Sequence, residues 1–595
     1  MKRNSPNQQE IPFEALDPKR IHMEGARKQA LEQGRTRLLV TGVMFALAFS
    51  VLGARLVDLT QHGKDGASKW RTLAAAKSAE HVVTRGGIFD RNGHILATSL
   101  PTQSLYVDPA EAKKALNGAA AADRLLTVLP DLDRMQLIEK IDGSGRFVWL
   151  ARNLTPDQVW AVNRLGLPGF GFRKEERRVY PYGPTFAHIL GYTDVDGQGI
   201  AGVEREFEHV LGTQGDSLEL SIDLRVQAIL HNELSKARDT FSAQGAAGVV
   251  MDVNSGEILG LASLPDFDPN QPQQSMGLQG FNRATKGVYE MGSTFKLFTT
   301  AMALDSGTVK LTDGYDATDP IRVARFTISD YHAKKRWLNV PEILTYSSNI
   351  GTAKMALDVG GEKQKEYLAR FGLLSTPEVE LPEVGSPLYP ARWSDVSTMT
   401  ISYGHGIAVS PLQMAVGISA LVNGGVMIPP TLMKVSESQP ARGHRVLKEK
   451  TSTAMRALMR KVVRDGTGGS ADIKGYLVGG KTGTAEKQVG GSYDKSALIS
   501  SFVGVFPMTE PRFVVLVVLD EPQGVEATYG YATGGWVAAP AVGRVIEQLG
   551  PLFGLTPDPS ASDSETQVGN PMYLPDAKAP GRTAMLPRGV THAAY

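Results

Sequence analysis

The chain has 595 residues, too many for a single hydrophobic core, so we expect two or three folded domains. Hydrophobic residues make up 42% and charged residues 21%, as in ordinary globular proteins, and the formal net charge of +1 gives no indication of a nucleic-acid partner. The absence of cysteine excludes disulfides, thiolate nucleophiles and a lipid anchor on cysteine. No histidine pair has the spacing of a zinc site, so we expect no metal.

An uncharged apolar run, LLVTGVMFALAFSVLGA, occupies residues 38–54 between Arg37 and Arg55. Its length is at the lower limit for a helix that crosses a bilayer. Basic residues precede it, which places the N-terminus in the cytoplasm by the positive-inside rule. A cleaved signal peptide and a buried core helix are the alternatives, but signal peptides rarely have so long a leader. We therefore predict a cytoplasmic tail over 1–37 and a single transmembrane anchor over 38–58.

The segment after the anchor, residues 59–220, is predicted to form a first domain outside the membrane. Residues 85–99 read as a β-hairpin, because the turn sequence Asp-Arg-Asn-Gly separates two stretches of strand pattern. Helical patterns follow over 110–165, and residues 170–225 mix short strands with glycine-rich turns. This domain carries no catalytic pattern of its own.

A second domain is predicted over residues 221–550. It opens with a strand and an amphipathic helix, followed by a hairpin over 245–263. Two further apolar strands, SALISSFVGVFP and RFVVLVVLDEP, precede a closing helix. Strands at both ends with helices between them indicate an α+β fold with an antiparallel sheet. Residues 551–595 are rich in Pro, Ser, Ala and Gly without apolar periodicity, which predicts a disordered tail.

Lys296 is the one charged residue in the apolar stretch TFKLFTTAMAL, three residues after Ser293. Gly292 suits a tight turn, and the serine would open a helix through Leu304. Positions i and i+3 share a helix face, so the hydroxyl and the amine can meet. Burial and the helix dipole both disfavour the ammonium form and should lower the pKa of Lys296. The pair would then be a nucleophile and its base. The alternative is that this short pattern occurs by chance and that Lys296 extends to solvent from a half-buried helix.

Two more polar motifs precede or occupy apolar segments. Ser347-Ser348-Asn349 stands before an apolar helical run, where such a triplet is commonly a helix cap. Lys481-Thr482-Gly483-Thr484 follows two glycines, which predicts an edge strand. Its small residues would allow another group to approach the strand closely. A phosphate-binding loop is disfavoured there, because the earlier glycine of that motif is missing.

In order, Ser293-x-x-Lys296, Ser347-x-Asn349 and Lys481-Thr482-Gly483 match the active-site set of penicillin-recognising serine enzymes. The chain resembles the class B penicillin-binding proteins, most of all the septal, penicillin-binding protein 3 type. Pedestal motifs of that family are similar to segments of the first domain, which begin at Arg85, Arg177 and Gly199. Met291 is a departure, since many members have proline there.

The resemblance implies a β-lactamase-like transpeptidase domain that needs no cofactor, and it implies residue roles. Ser293 would be the nucleophile and Lys296 its base, and Ser347 would relay a proton to the leaving amine, with help from Lys481. Asn349 would bind the substrate amide and help to hold Lys296. The segment Lys481-Thr482-Gly483-Thr484 would bind the terminal carboxylate of the donor stem peptide. The N–H groups of Ser293 and Thr484 would form the oxyanion hole.

The resemblance also implies partners and a location. Peptidoglycan stem peptides would be substrates, β-lactam antibiotics would acylate the enzyme, and a multi-span lipid II polymerase of the division complex would be a partner. The catalytic domain would lie in the periplasm at the septum. The alternatives are a lateral-wall transpeptidase, a β-lactamase or β-lactam sensor, and a division scaffold with secondary catalysis. The pedestal argues against a free hydrolase, and no residue is assignable as a water-activating base. His405 between two glycines reads as a packed loop residue.

Overall fold

The computed structural model describes residue 40 and residues 42–54, 84–323, 326–436, 443–490, 492–558 and 590–592. The chain divides into two units, residues 1–82 and 83–595. In the first unit residues 42–54 are helical and exposed. No helix in the described part of the chain combines the length and the apolar character needed to cross a membrane. The predicted tail over 1–37 and both flanks of the predicted anchor lie outside the described residues.

The first domain of the second unit is built on one long strand. Its elements are β1 (Ile88–Phe89), β2 (Ile95–Val107), α1 (Pro109–Ala112), α2 (Gly118–Leu126), α3 (Arg134–Ile141), β3 (Val148–Leu154), α4 (Pro156–Arg164), β4 (Phe170–Val179), α5 (Ala187–Leu190), α6 (Gly202–Glu206) and β5 (Leu218–Glu219). Strand β2 pairs antiparallel with β1, β3 and β4, and β1 pairs parallel with β5. The predicted hairpin is confirmed, and the Asp90 carboxylate accepts from the N–H groups of Asn92 and His94 at 2.8 Å each.

A buried ion cluster ties the ends of this domain together. The Glu204 carboxylate has no exposed surface and accepts from Arg85 Nε at 2.6 Å and from Arg178 Nε at 2.7 Å. Arg85 also donates to Glu208 at 2.8 Å. These residues come from three separate stretches of sequence. The cluster therefore connects the segment before β1, strand β4 and the region of helix α6. A buried charge without its partner is costly, and Glu204 is therefore a structural residue.

Replacing Glu204 with glutamine should destabilise the first domain by about 3 to 5 kcal/mol, because both guanidinium groups then lose their buried counter-charge. Glu206→Gln is the matched control, since Glu206 lies in the same helix and is exposed. Urea unfolding of both purified variants would measure the difference. Equal midpoints for the two variants would show that the cluster contributes nothing to stability.

The second domain contains the remaining elements. They are α7 (Leu224–Thr240), β6 (Gly245–Asp252), β7 (Ile258–Leu264), α8 (Lys296–Asp305), β8 (Gly314–Asp316), β9 (Ile321–Val323), β10 (Phe326–Ile328), β11 (Trp337–Asn339), α9 (Val340–Thr345), α10 (Asn349–Val359), α11 (Gly361–Arg370), α12 (Asp395–Ser402), α13 (Pro411–Val422), β12 (Val426–Met427), β13 (His444–Arg445), α14 (Glu449–Asp465), β14 (Gly479–Val489), β15 (Ser492–Phe506), β16 (Phe513–Asp520), α15 (Gly534–Val537), α16 (Ala539–Leu552) and β17 (Val590–His592).

The central sheet has the strand order β14-β15-β16-β6-β7 and every neighbouring pair is antiparallel. The first strand of the domain in sequence, β6, therefore pairs with β16 from its end, so the sheet is assembled from both ends of the domain, as predicted. Every residue of β16 is buried, because helices cover both faces. One apolar core contains residues of α7 and α16, and the other contains residues of α8, α10 and α13. This α+β arrangement leaves β14 at one edge of the sheet.

The predicted disorder of residues 551–595 is wrong at two places. Helix α16 continues to Leu552, where its apolar face still packs on the sheet. Residues Val590–His592 form β17, which pairs antiparallel with β9. Backbone hydrogen bonding to a strand edge needs no apolar periodicity, which is why composition did not indicate this strand. The segments 559–589 and 593–595 lie outside the described residues.

Candidate active site

Ser293 lies in a 3₁₀ turn, Gly292–Phe295, that leads directly into α8. The predicted helix start is displaced slightly, because α8 itself begins at Lys296 and ends at Asp305. Gly292 has a φ of 55°, in the left-handed region that favours glycine. The turn presents the serine at the N-terminal end of a helix whose body is buried.

Lys296 has no exposed surface. Its Nζ donates to the Ser347 carbonyl at 2.5 Å and to the Ser347 hydroxyl at 3.0 Å. Burial, together with the nearby charge of Lys481, holds the pKa of Lys296 well below its usual value, and Asp330 opposes this effect. A neutral amine is a proton acceptor, so the structure agrees with the predicted direction of the shift.

The partner of Lys296 differs from the one expected. Among the hydrogen bonds of the described residues, none joins Lys296 to Ser293. The amine instead connects α8 to the second motif, through Ser347. The i, i+3 spacing predicts a contact between two residues of one helix face. Ser347 comes from another segment, so that local spacing does not indicate it.

The residues of the second motif make different contacts. Ser348 is the helix cap, and its hydroxyl accepts from Gly351 N–H of α10 at 3.0 Å. Ser347, just before it, has a φ of 57°, a left-handed conformation that is uncommon for a residue with a side chain. Asn349 donates to the Ser329 carbonyl at 2.9 Å, so its predicted contact with Lys296 is not seen.

Asp330 is a positioning residue that the sequence analysis missed. One oxygen of its carboxylate accepts from the Ser348 hydroxyl at 2.7 Å, and the other accepts from Ile350 N–H at 3.0 Å. The carboxylate thus sits at the N-terminal end of α10, where the helix dipole favours negative charge. Its position in sequence, before a polar loop, carries no pattern that would have identified it.

Lys481 is the second buried amine of the site. It has no exposed surface, and its Nζ donates to the carbonyl of Thr482 at 3.1 Å and to the hydroxyl of Thr482 at 3.2 Å. Burial lowers the pKa of Lys481 to about 7. The same hydroxyl lies 2.7 Å from the hydroxyl of Thr467, and Thr484 accepts from Gly534 N–H at 3.1 Å. The predicted edge-strand position is confirmed, since all three motif residues lie on β14.

The serine turn and β14 are in backbone contact. A Cβ added to Gly292 would lie 2.5 Å from the Thr484 carbonyl oxygen, and one added to Gly483 would lie 2.4 Å from the Met291 carbonyl oxygen. No side chain fits at either position. The glycines therefore allow the strand that carries Thr484 to approach the turn that carries Ser293, and we name this contact the glycine seam.

His405 is packed near the site, as predicted. Its ring centroid lies 5.4 Å from Tyr403 and 5.8 Å from Tyr493. Burial and the nearby charge of Lys296 lower its pKa to about 4, so the ring is neutral. The neighbouring Glu290 carboxylate accepts from Gly406 N–H at 2.9 Å and from the Tyr493 hydroxyl at 3.0 Å. These contacts give both residues a structural role.

Two family descriptions match the two domains. Residues 246–547 match the penicillin binding protein transpeptidase domain, and residues 80–223 match the penicillin-binding protein dimerisation domain. The transpeptidase match lies within residues 221–550, and the dimerisation match overlaps residues 59–220 over most of its length. The three motifs all fall within the transpeptidase match.

Relatives and solved structures agree with this assignment. The chain is 44% identical over 484 residues to the probable peptidoglycan D,D-transpeptidase FtsI of Caulobacter vibrioides, across 79% of this chain and 82% of that protein. It is 33% identical over 561 residues to the peptidoglycan D,D-transpeptidase FtsI of Escherichia coli K12, across 88% and 92%. A peptidoglycan synthetase structure from Bifidobacterium adolescentis superposes with a TM-score of 0.62 at 26% identity, across 80% and 96%. The chain therefore belongs to the class B penicillin-binding proteins, of the penicillin-binding protein 3 type.

Proposed function

We propose that this chain is a peptidoglycan D,D-transpeptidase that cross-links stem peptides during septal wall synthesis, with Ser293 as its nucleophile. The observation that carries the proposal is the buried Lys296 amine, hydrogen-bonded to Ser347 beside the Ser293 turn. The relatives named as D,D-transpeptidases support the substrate class. The reaction is acyl transfer, and the chain's own side chains supply its groups.

In the first step the Ser293 hydroxyl attacks the carbonyl of the penultimate D-Ala of a donor stem. Neutral Lys296 accepts the hydroxyl proton, as a base of lowered pKa can near neutral pH. The backbone N–H groups of Ser293 and Thr484 stabilise the oxyanion. The glycine seam supports this assignment, because it keeps the two backbone segments in contact.

In the second step the terminal D-Ala leaves as an amine, and its nitrogen takes a proton through Ser347. The hydrogen bond from Lys296 to the Ser347 hydroxyl provides the route for that proton. An amine of a neighbouring stem then attacks the ester, releases Ser293 and forms the cross-link. Asn349 binds the substrate amide, and one N–H of its side-chain amide is held by the Ser329 carbonyl.

The terminal carboxylate of the donor binds at β14. Thr482 and Thr484 contribute hydroxyls from one face of the strand, and Gly483 between them lets β14 lie against the serine turn. Lys481 contributes the positive charge next to Thr482. Penicillin carries a carboxylate in the equivalent place, so it would use the same groups when it acylates Ser293.

The affinity for penicillin before acylation should weaken by about tenfold as the pH rises from 6 to 8, because Lys481 then loses the charge that binds the carboxylate. Stopped-flow acylation with a fluorescent penicillin separates this binding constant from the acylation rate. Lys487→Ala is the control, since Lys487 lies on the same strand and is paired with Asp520 and Glu521. An affinity that stays constant over this range would remove Lys481 from carboxylate binding.

The penicilloyl ester on Ser293 should persist for many minutes, far beyond a turnover time of about 0.1 s. A β-lactamase activates water with a second base, and the two best candidates here are occupied: Glu290 accepts two hydrogen bonds and His405 is packed. Intact-mass spectra taken after removal of free drug would test the proposed function. Loss of the adduct within seconds would favour the β-lactamase alternative.

The domain plan and location are part of the same proposal. Residues 1–37 lie in the cytoplasm, 38–58 anchor the chain in the inner membrane, 59–220 form a pedestal and 221–550 form the transpeptidase domain in the periplasm. A multi-span lipid II polymerase supplies the glycan strands. The name FtsI of two relatives supports a septal role. A fluorescent fusion in dividing cells would distinguish the septum from the lateral wall.

A further inference from the structure

Strand β17 occupies an edge of a small sheet in the transpeptidase domain. Its register on β9 is antiparallel, with Val590 opposite Val323 and His592 opposite Ile321. Strand β10 pairs with the other edge of β9. The C-terminal strand thus converts a pair of three-residue strands into a three-stranded sheet with β9 at its centre.

Strand β9 is short and half-buried, so pairing with a further strand would stabilise it. Ile321 and Val323 are buried, and Arg322 between them is exposed, so one face packs on the core. A pair of short strands is marginal by itself in water, and a third strand adds backbone hydrogen bonds along the open edge. The chain between residue 558 and Val590 has a maximum extended length of roughly 100 Å.

The sheet leads directly into the active site. Strand β10 ends at Ile328, and the next two residues are Ser329 and Asp330. The Ser329 carbonyl accepts the hydrogen bond from Asn349, and the Asp330 carboxylate accepts from the Ser348 hydroxyl and from the Ile350 N–H of α10. The sheet is therefore connected to the second motif through two residues of continuous chain and their hydrogen bonds.

We propose that the C-terminal segment Val590–His592 is an intramolecular ligand of the β9 edge, and that its docking holds Asp330 and the second motif in the geometry for acylation. The coupling to acylation rests on the proposed function, whereas the docking does not. Docking closes a loop at an entropic cost and pairs only three residues, so we expect the docked and undocked states to exchange. The tail then acts as a clamp that another strand-forming peptide would displace.

The test compares backbone amide exchange in the full-length protein and in the double variant Val590→Pro/Thr591→Pro. Hydrogen-bonded and non-hydrogen-bonded residues alternate along an antiparallel strand, so one of any two successive residues donates its N–H to the partner strand. Two successive prolines therefore remove that N–H, whichever residue carries it. The control is Val590→Ala/Thr591→Ala, which keeps both N–H groups. We expect the amides of 321–323 to exchange about tenfold faster in the proline variant and unchanged in the alanine variant.

The acylation rate with fluorescent penicillin should fall by about fivefold in the proline variant only, at the lower end of coupling between sites. Equal exchange of 321–323 in all three proteins would overturn the docking. Faster exchange with an unchanged acylation rate would overturn the coupling. An exchange rate that depends on protein concentration would assign the strand to a second copy of the chain and overturn the intramolecular ligand.

The same experiment separates failure of this inference from failure of the proposed function. If Ser293 is labelled in every protein while exchange does not change, the docking is wrong and the transpeptidase assignment stands. If exchange changes as expected while none of the proteins forms an adduct on Ser293, the docking stands and the proposed nucleophile is wrong.

Discussion

Replacing Ser293 with alanine should abolish covalent labelling by a fluorescent penicillin while the protein stays folded. The hydroxyl is the atom that forms the ester, and no other serine lies in the turn beside α8 with a buried amine behind it. The site is otherwise unchanged, so non-covalent binding to β14 should remain. Gel fluorescence after denaturation measures the labelling, and thermal unfolding checks the fold.

The control is Ser375→Ala, because Ser375 is exposed and outside the three motifs. It should label at the rate of the unmodified protein. Full labelling of Ser293→Ala would contradict the assignment of the nucleophile, and mass mapping of the adduct would then identify the residue that reacts.

Replacing Lys296 with arginine should lower the acylation rate by about 10² to 10⁴, nearly as much as replacing it with methionine. Arginine keeps the positive charge but does not lose its proton, and the reaction requires a base. The fully buried position makes both variants informative, because methionine fills the space without a charge. Second-order rate constants for acylation measure the effect.

Lys354→Met is the matched control for Lys296. Lys354 is also fully buried, and it lies on α10 outside the three motifs, where it donates to the Asp316 carbonyl at 2.7 Å. We expect it to lose stability and to keep an acylation rate close to that of the unmodified protein. If Lys296→Arg acylated at an undiminished rate, Lys296 would be an electrostatic or packing residue.

The fold was predictable where apolar patterning is continuous. The late strands β15 and β16 and the closing helix α16 were identified because each buries a long apolar face. The two hairpins were identified from a turn sequence between two stretches of strand pattern. The antiparallel sheet built from both ends of the domain followed from their order. Short strands such as β8 to β11 were not predicted, since three residues carry too little periodicity to be distinguished from loop.

The site was predictable in its residue types and less so in its contacts. The lowered pKa of Lys296 followed from one charge in an apolar helix, a local property of the sequence. Its bond to Ser347 and the role of Asp330 depend on residues from separate segments meeting in space. The left-handed backbone of Ser347 is likewise imposed by tertiary packing, against the ordinary preference of a serine.

The glycine seam has a consequence for how drug resistance can evolve in this enzyme. Any substitution at Gly292 or Gly483 would place an atom within about 2.5 Å of a backbone oxygen, which packed main chain cannot move away from. Substitutions at these two positions would not be selected under antibiotic treatment, because a change that weakens drug binding there would also impair wall synthesis. Escape would have to come through side chains that touch the drug's substituents and leave the shared carboxylate and ester chemistry alone.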